Sequence, residues 1–228
     1  MTLTFTKGER DALIFHLTFT LFSIMILAAP FNLNVGPRLL ILTILYNLSL
    51  PLAAKRLGHT EWFLPWLFSF CVSLFQVFPD WFLSAALDIL AFPEDGLFKI
   101  GTVSGYMPFL WTIPMFLVIY SAERIKNRKG NAASYLTAAL AALIIFGGSE
   151  QTMWILGSWY PKNVTLVSHT AIYILIPEML LGLFGYFMYR VVEGKNRWSI
   201  IPAAFAVMLL YLGAASFFYL MIEKVILA

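Results

Sequence analysis

Charge is scarce in this sequence. Only 12% of its residues are Asp, Glu, Lys or Arg, against about 25% in a typical soluble domain. So few polar side chains cannot coat a globule in water, and lipid must be the solvent for much of the exterior. Cysteine is nearly absent: Cys71 stands alone, which excludes an intrachain disulfide and any metal site built on a cysteine cluster. It falls inside an apolar run and reads as a small buried hydrophobe. The three histidines, His16, His59 and His169, have no metal-ligand spacing. A histidine centre would need partners from several helices, and no metal is expected. No nucleophile-elbow motif is present, so a serine hydrolase has no support. Internal repeats, low-complexity stretches and linkers are missing too, and residues 1–228 read as one domain.

Apolar residues fill the rest: 61% of the chain is hydrophobic and the mean hydropathy is +0.82. A spanning helix takes about 20 mostly apolar residues. Seven runs reach or approach that length: 12–29, 37–54, 62–78, 106–120, 132–155, 166–189 and 200–222. The third and fourth are short and need their neighbours. Lys7 and Arg10 ahead of a run ending at Ala28-Ala29-Pro30 resemble a signal peptide, but the run is read as the first helix. The expectation is an all-α, polytopic membrane bundle of seven transmembrane helices.

Orientation follows from counting basic residues. A cytoplasmic 55–61 loop holds Lys55 and Arg56. Alternation then adds Lys7, Arg10, Arg124, Lys126, Arg128, Lys129, Arg190, Lys195 and Arg197, which makes eleven of the 15 Lys and Arg. Arg38, Lys99, Lys162 and Lys224 remain outside, and this bias fits the positive-inside rule. The N-terminus is expected inside and the C-terminus outside, in a multi-pass protein of a prokaryotic cell membrane. The net charge of +3 therefore marks orientation and not a nucleic-acid partner. Membrane lipid is the expected partner, and oligomers are compatible with this reading. A retinal protein is disfavoured. Those chains start outside and carry a lysine deep in the last helix, whereas Lys224 lies at the end of the last run here. No cofactor is expected.

The outer half holds the unusual chemistry. After the third run, Pro79 suits a first helical turn and Asp80 its positive dipole end. Residues 79–92 are too short to cross, at about 21 Å of helix, and predict a short interfacial or re-entrant helix. Trp81, Ser84, Ala85 and Asp88 would share one face of it. The loop 93–105 carries Glu94 and Asp95, two adjacent acids whose spacing is irregular for calcium. Whether Asp80, Asp88, Glu94, Asp95 or His169 binds a metal stays open.

The fourth run opens with Tyr106, places Trp111 and Met115 on one face, and carries Pro114, expected to kink it. The fifth ends in Gly147-Gly148-Ser149-Glu150, with Trp154 one turn on and Trp159 in the loop beyond. In the sixth, Glu178 falls about twelve residues in, near mid-bilayer. An ionisable group at that depth costs several kcal/mol unless paired, protonated or wetted. Pro177 beside it is expected to kink the helix, leaving the Tyr173 carbonyl without its helical donor. Glu178 shares a face with Gly182, Gly185 and Tyr189, so it is expected to point into the bundle. His169 would lie about 13 Å away on the opposite face.

These residues define a candidate chamber facing the outer leaflet. Glu178, Glu150, Asp80 and Asp88 are candidate acids. Trp81, Tyr106, Trp111, Trp154, Trp159 and His169 are candidates for substrate contact. A buried carboxylic acid that keeps its proton can protonate an alkene or epoxide, and aromatic faces stabilise the resulting cation. The size, seven-helix layout and membrane carboxylates beside tryptophans resemble the integral-membrane terpene cyclases and carotenoid hydratases. The runs 79–84, 101–107 and 147–150 resemble an uncharacterised prokaryotic seven-helix membrane-protein family. The resemblance implies a cyclase or hydratase acting on a lipid-soluble, isoprenoid-like substrate, and it carries over no catalytic residue. A small-molecule or proton-coupled transporter or binding protein stays open, because Glu178 beside a proline suits a coupling carboxylate. So does a structural membrane subunit whose acids join helices.

Overall fold

The computed structural model describes residues 5–30 and 32–227. It is all-α in class. In chain order the helices are α1 (Lys7–Ala28), α2 (Val35–Leu57), α3 (Phe63–Phe75), α4 (Val77–Trp81), α5 (Met107–Leu110), α6 (Thr112–Lys129), α7 (Asn131–Thr152), α8 (Leu175–Val192) and α9 (Ile200–Met221). Among the described residues, seven of these are long and only α4 and α5 are short. Local signals set several ends. Thr6 Oγ1 accepts from the Glu9 N–H at 3.3 Å while the Glu9 carboxylate accepts from the Thr6 N–H at 2.7 Å, a capping box that starts α1. Gly58 and Gly130 end α2 and α6 at φ of 77° and 84°, a region in which a Cβ is strained.

Six helical segments are long and apolar enough to cross a membrane: Lys7–Ala28, Val35–Leu57, Thr60–Ala86, Asn131–Leu156, Ile172–Val192 and Arg197–Ile226. They are compatible with a multi-pass membrane protein. The remaining long helix, α6, falls short because its last turns carry Glu123, Arg124, Lys126, Arg128 and Lys129. Its position accounts for this. It packs among α3, α7 and α8, with Met115, Phe116, Val118, Ile119, Ala122 and Glu123 buried. The outer helices show the reverse pattern. Leu17 and Leu21 of α1, Leu136 and Ile144 of α7, and Phe217 and Leu220 of α9 are exposed, an apolar coat suited to lipid.

The links between helices gather by charge. At one end Asp11 meets His59 at 2.9 Å, Glu9 meets Arg128, Lys126 meets Glu193 at 3.6 Å, and Arg197 lies over Phe63. The basic links predicted to share one side therefore lie together. At the other end Arg38 Nη1 donates to the carbonyls of Ile26, Leu27 and Ala29 at 3.1, 3.1 and 2.6 Å, satisfying acceptors that the end of α1 leaves open. Three two-residue antiparallel pairs cover that end. They are β1 (Leu90–Ala91) with β4 (Tyr160–Pro161), β2 (Lys99–Ile100) with β3 (Val103–Ser104), and β5 (Leu166–Val167) with β6 (Thr170–Ala171).

Three sequence expectations are corrected. No separate helix spans 79–92. The helical residues 77–86 continue from α3, the last five as a wide turn, and Asp88 at φ 56° ends them. The sixth run is not helical from residue 166. Its first residues form the β5–β6 hairpin, and α8 begins at Leu175. Glu178 is thus in the first turn of α8 and not twelve residues deep. The expected kink at Pro177 disappears with this shift, because Pro177 sits third in α8, where N–H groups have no helical acceptor to lose. Pro114 does accompany an interruption: the run breaks at Trp111, between α5 and α6, next to Leu110, whose carbonyl would have taken the missing N–H.

The glycine face of α8 is as expected, with Glu178, Gly182, Gly185 and Tyr189 all buried. A Cβ on Gly182 would lie 2.6 Å from the Ala138 carbonyl oxygen of α7, whereas one on Gly148 would meet open space. Alanine at the two sites should therefore have opposite signs. Gly148→Ala should be neutral or stabilising by up to about 1 kcal/mol through helix propensity, and Gly182→Ala should destabilise by about 1–3 kcal/mol through overpacking. Thermal unfolding in detergent reads both, and equal effects would refute the close α7–α8 contact.

Candidate functional site

Three carboxyl groups from three helices converge at the end of the bundle away from the basic links. Asp80 comes from α4, Glu150 from the last turn of α7 and Glu178 from the first turn of α8, and all three line one cavity of about 40 Å³. That space suits two or three waters at about 10–15 Å³ each. Trp111, Trp159, Tyr173 and Tyr211 supply aromatic walls. Asp80 and Glu178 are only 3% and 2% exposed, so bulk water does not solvate them.

Their partners are few. Trp111 Nε1 donates to Asp80 Oδ2 at 3.1 Å, and Trp159 Nε1 donates to Glu150 Oε1 at 2.8 Å. Glu178 Oε2 is buried with no hydrogen-bond partner. None of the ion pairs among the described residues includes any of the three acids. Nor do three His, Cys, Asp or Glu among the described residues stand close enough to hold a metal ion. Asp95 in particular is engaged elsewhere. Its carboxylate accepts from the Leu97 N–H at 3.0 Å and faces Lys99 Nζ at 3.4 Å.

A second space adjoins the first. An apolar cleft of about 180 Å³ lies between α5–α6 and α7 and shares Trp111, Glu150, Trp159 and Glu178 with the cavity. Its other walls include Leu110, Ile113, Leu117, Ile145 and Met153. Several of these are half-buried, so the cleft opens on the flank of the bundle. Glu150 and Glu178 therefore line both spaces, while Asp80 lines only the smaller one, whose other walls are mostly apolar and aromatic.

Of the ten residues singled out from sequence, five line this site: Glu178, Glu150, Asp80, Trp111 and Trp159. The other five lie outside it. Asp88 turns away at the end of its helix, where Lys162 and Asn163 take its carboxylate. Trp81 is half-exposed, with its ring against Gly101. Tyr106 is fully buried, but its hydroxyl pairs with Ser158 at 2.5 Å in a separate core around Leu39 and Val103. Trp154 and His169 are exposed and stack on each other at 4.0 Å. The change from α7 to a tighter 3-10 turn at Met153 separates Trp154 from Glu150. His169 sits in the β5–β6 hairpin and not on a helix. Sequence reasoning missed Tyr173 and Tyr211. Tyr211 occupies the buried stripe Ala204, Val207, Met208 and Ala215 of α9, and a polar-tipped ring on an otherwise small and apolar stripe was the available signal.

An all-helical bundle with an acid cluster at one end describes a class and names no activity. The chain belongs to the family described as a domain of unknown function, DUF6989, which it matches over residues 77–222. That range holds the acids and aromatic walls just described. No curated protein and no solved structure matches the chain.

The unpartnered Glu178 leads to a stability prediction. A buried polar group without a partner costs about 1–3 kcal/mol. Glu178→Met keeps similar length and should therefore raise the unfolding temperature in detergent. A clear drop would instead mark the carboxyl as a bond between helices.

Proposed function

We propose that this chain spans a membrane seven times, with the basic end on the cytoplasmic side, and that the acid cluster protonates a lipid-soluble, isoprenoid-like substrate, as a cyclase or hydratase does. The membrane reading is supported by the six long apolar segments and the exposed leucines and phenylalanines. The seventh crossing is α5–α6, sheltered by its neighbours. The orientation is supported by the basic links lying at one end. A reporter at the 130 turn should read cytoplasmic and one at the C-terminus external. The opposite pattern refutes the orientation.

One observation carries the chemical reading. Glu150 and Glu178 line both an apolar cleft open to the flank and a smaller aromatic-lined cavity that also holds Asp80, with no cation beside them. An alkene entering from the membrane would meet a carboxylic acid. The acid's proton and the π-electron pair form a C–H bond, leaving a tertiary carbocation and a carboxylate. The faces of Trp111, Trp159 and Tyr211 stabilise that cation. The cation then either loses a proton to a carboxylate, after ring closure, or takes a water. The cavity behind the acids has room for such water, with Asp80 placed to accept its proton, and this favours hydration.

Transport and purely structural roles have less support. Below Glu178 the bundle is packed by Met115, Ile119 and Leu181, each fully buried. A structural acid would have a partner, and Glu178 Oε2 has none.

Membranes containing the protein, given linear isoprenoid alkenes and epoxides in heavy water, should place deuterium in the product. Glu178→Gln should lower that incorporation by about 100-fold or more, the range for a lost general acid. Full turnover in a well-expressed Glu178→Gln would remove Glu178 as the acid. No deuterium uptake from any such substrate by the unaltered protein would sink the enzyme reading.

A further inference from the structure

A second site lies at the opposite end of the molecule. A groove of about 390 Å³ runs between the N-terminal half of α1 and the C-terminal half of α6. Its titratable lining groups are Glu9, His16, Tyr120, Arg124 and Arg128. Most of them are engaged. Glu9 is taken by Arg128 and by the Thr6 N–H. The His16 ring nitrogens sit 2.7 Å from the Ala12 carbonyl oxygen and 3.0 Å from the Tyr46 hydroxyl. Arg124 differs. Its guanidinium lies over the Tyr120 ring at 5.0 Å, its Nε is buried without an acceptor, and no carboxylate among the described residues pairs with it. The nearby acid Glu123 turns the other way, toward Tyr186 and Arg190.

The chemistry changes along the groove. Along α6 the lining runs from Arg128 and Arg124 through Ser121 to Leu117, and α1 adds Ala12, Leu13 and His16. From Arg128 to Leu117 is eleven residues of α6, about 16 Å of helix. One leaflet of a bilayer's hydrocarbon core is about 15 Å thick. We infer that this groove binds an anionic phospholipid, with its phosphate against Arg124 and one acyl chain along α1 and α6. An uncompensated arginine between helices at the cytoplasmic surface is where an anionic headgroup gains most. A soluble anion would leave the apolar half of the groove unused, and a zwitterionic headgroup would bring a cation toward Arg128. The inference rests on the membrane and orientation reading proposed above, and it is independent of the chemistry proposed at the acid cluster.

The full chain in mild detergent, titrated with phosphatidylglycerol or phosphatidylcholine, tests this by thermal shift and by native mass measurement of bound lipid. Phosphatidylglycerol should stabilise the protein selectively and remain bound at one copy per chain. Arg124→Gln should weaken that binding about tenfold or more, the effect of one charge-assisted hydrogen bond. Arg124→Lys should keep part of it. Arg197→Gln, at the same end but outside the groove, should leave it unchanged, which separates a site from general surface charge. Equal shifts with both lipids would overturn the inference. So would full selectivity in a folded Arg124→Gln, or stabilisation by inorganic phosphate or a prenyl phosphate without phosphatidylglycerol.

Discussion

The arrangement of this bundle turns on covering α6. That helix carries Glu123 and a run of basic residues in its last turns, and it is the long helix not apolar enough to face lipid along its whole length. Its buried polar groups need partners inside the protein, and Glu123 and Arg128 find theirs on the neighbouring helices. Tyr186 and Arg190 of α8 reach the Glu123 carboxylate at 2.8 and 3.4 Å. On the other side of α6, Arg128 reaches Glu9 of α1. Where α6 is apolar, its neighbours come close. The Met115 methyl fills the space beside Gly185, and Phe116 joins Tyr46 and Trp62 in a core shared with α2 and α3. Bulk at the glycine positions of α8 would separate the very helices that shelter α6.

The same requirement explains how the acid cluster is tolerated. The break at Trp111, just before α6, lets the indole turn inward to Asp80. Trp159, in the loop after α7, does the same for Glu150. Each tryptophan supplies one neutral donor, so neither carboxyl stands in an ion pair. Glu178 receives neither. It sits next to Pro177 in a first helical turn, where backbone N–H groups lack helical acceptors, yet its Oε2 remains without a partner. A scaffold gains no stability from such a group.

Much of this was legible in the sequence because long apolar runs bounded by charge make long helices. Seven apolar runs and the one-sided basic residues anticipate the helices and the gathering of their links. The glycine face of α8 was readable from four-residue spacing alone. The misplaced residues sit at the margins of apolar runs, where the chain is not helix. Residues 166–171 head such a run but include Ser168, His169 and Thr170, and Ser168 at φ 58° turns them into a hairpin. That shift moves Glu178 from mid-helix to a helix start and takes His169 out of the bundle. In the same way Asp88 belongs to no helix face, because the chain leaves the helix before reaching it. Asp80 and Glu150 were found by their helix ends. Tyr173 and Tyr211 were missed because a tyrosine in an apolar run looks like core until its neighbours are known.

The two ends of the molecule are built from different parts of the chain. The acid cavity and its cleft are formed within the matched range 77–222, whereas the basic groove takes one wall from α1, which lies outside it. Helix α1 has little core of its own, since only Gly8, Glu9 and Ala12 are buried along its length. It is held at its ends by Arg128 on Glu9 and by Arg38 on its last carbonyls, and between them by Phe15, His16 and Phe19 against Tyr46, Trp62 and Phe116. So thin a contact leaves room at its flank, and the groove beside Arg124 occupies that room. Leu117 of α6 lines both this groove and the apolar cleft that leads to Glu178. One face of α6 thus runs from an uncompensated arginine to an unpartnered carboxyl, with apolar wall between them.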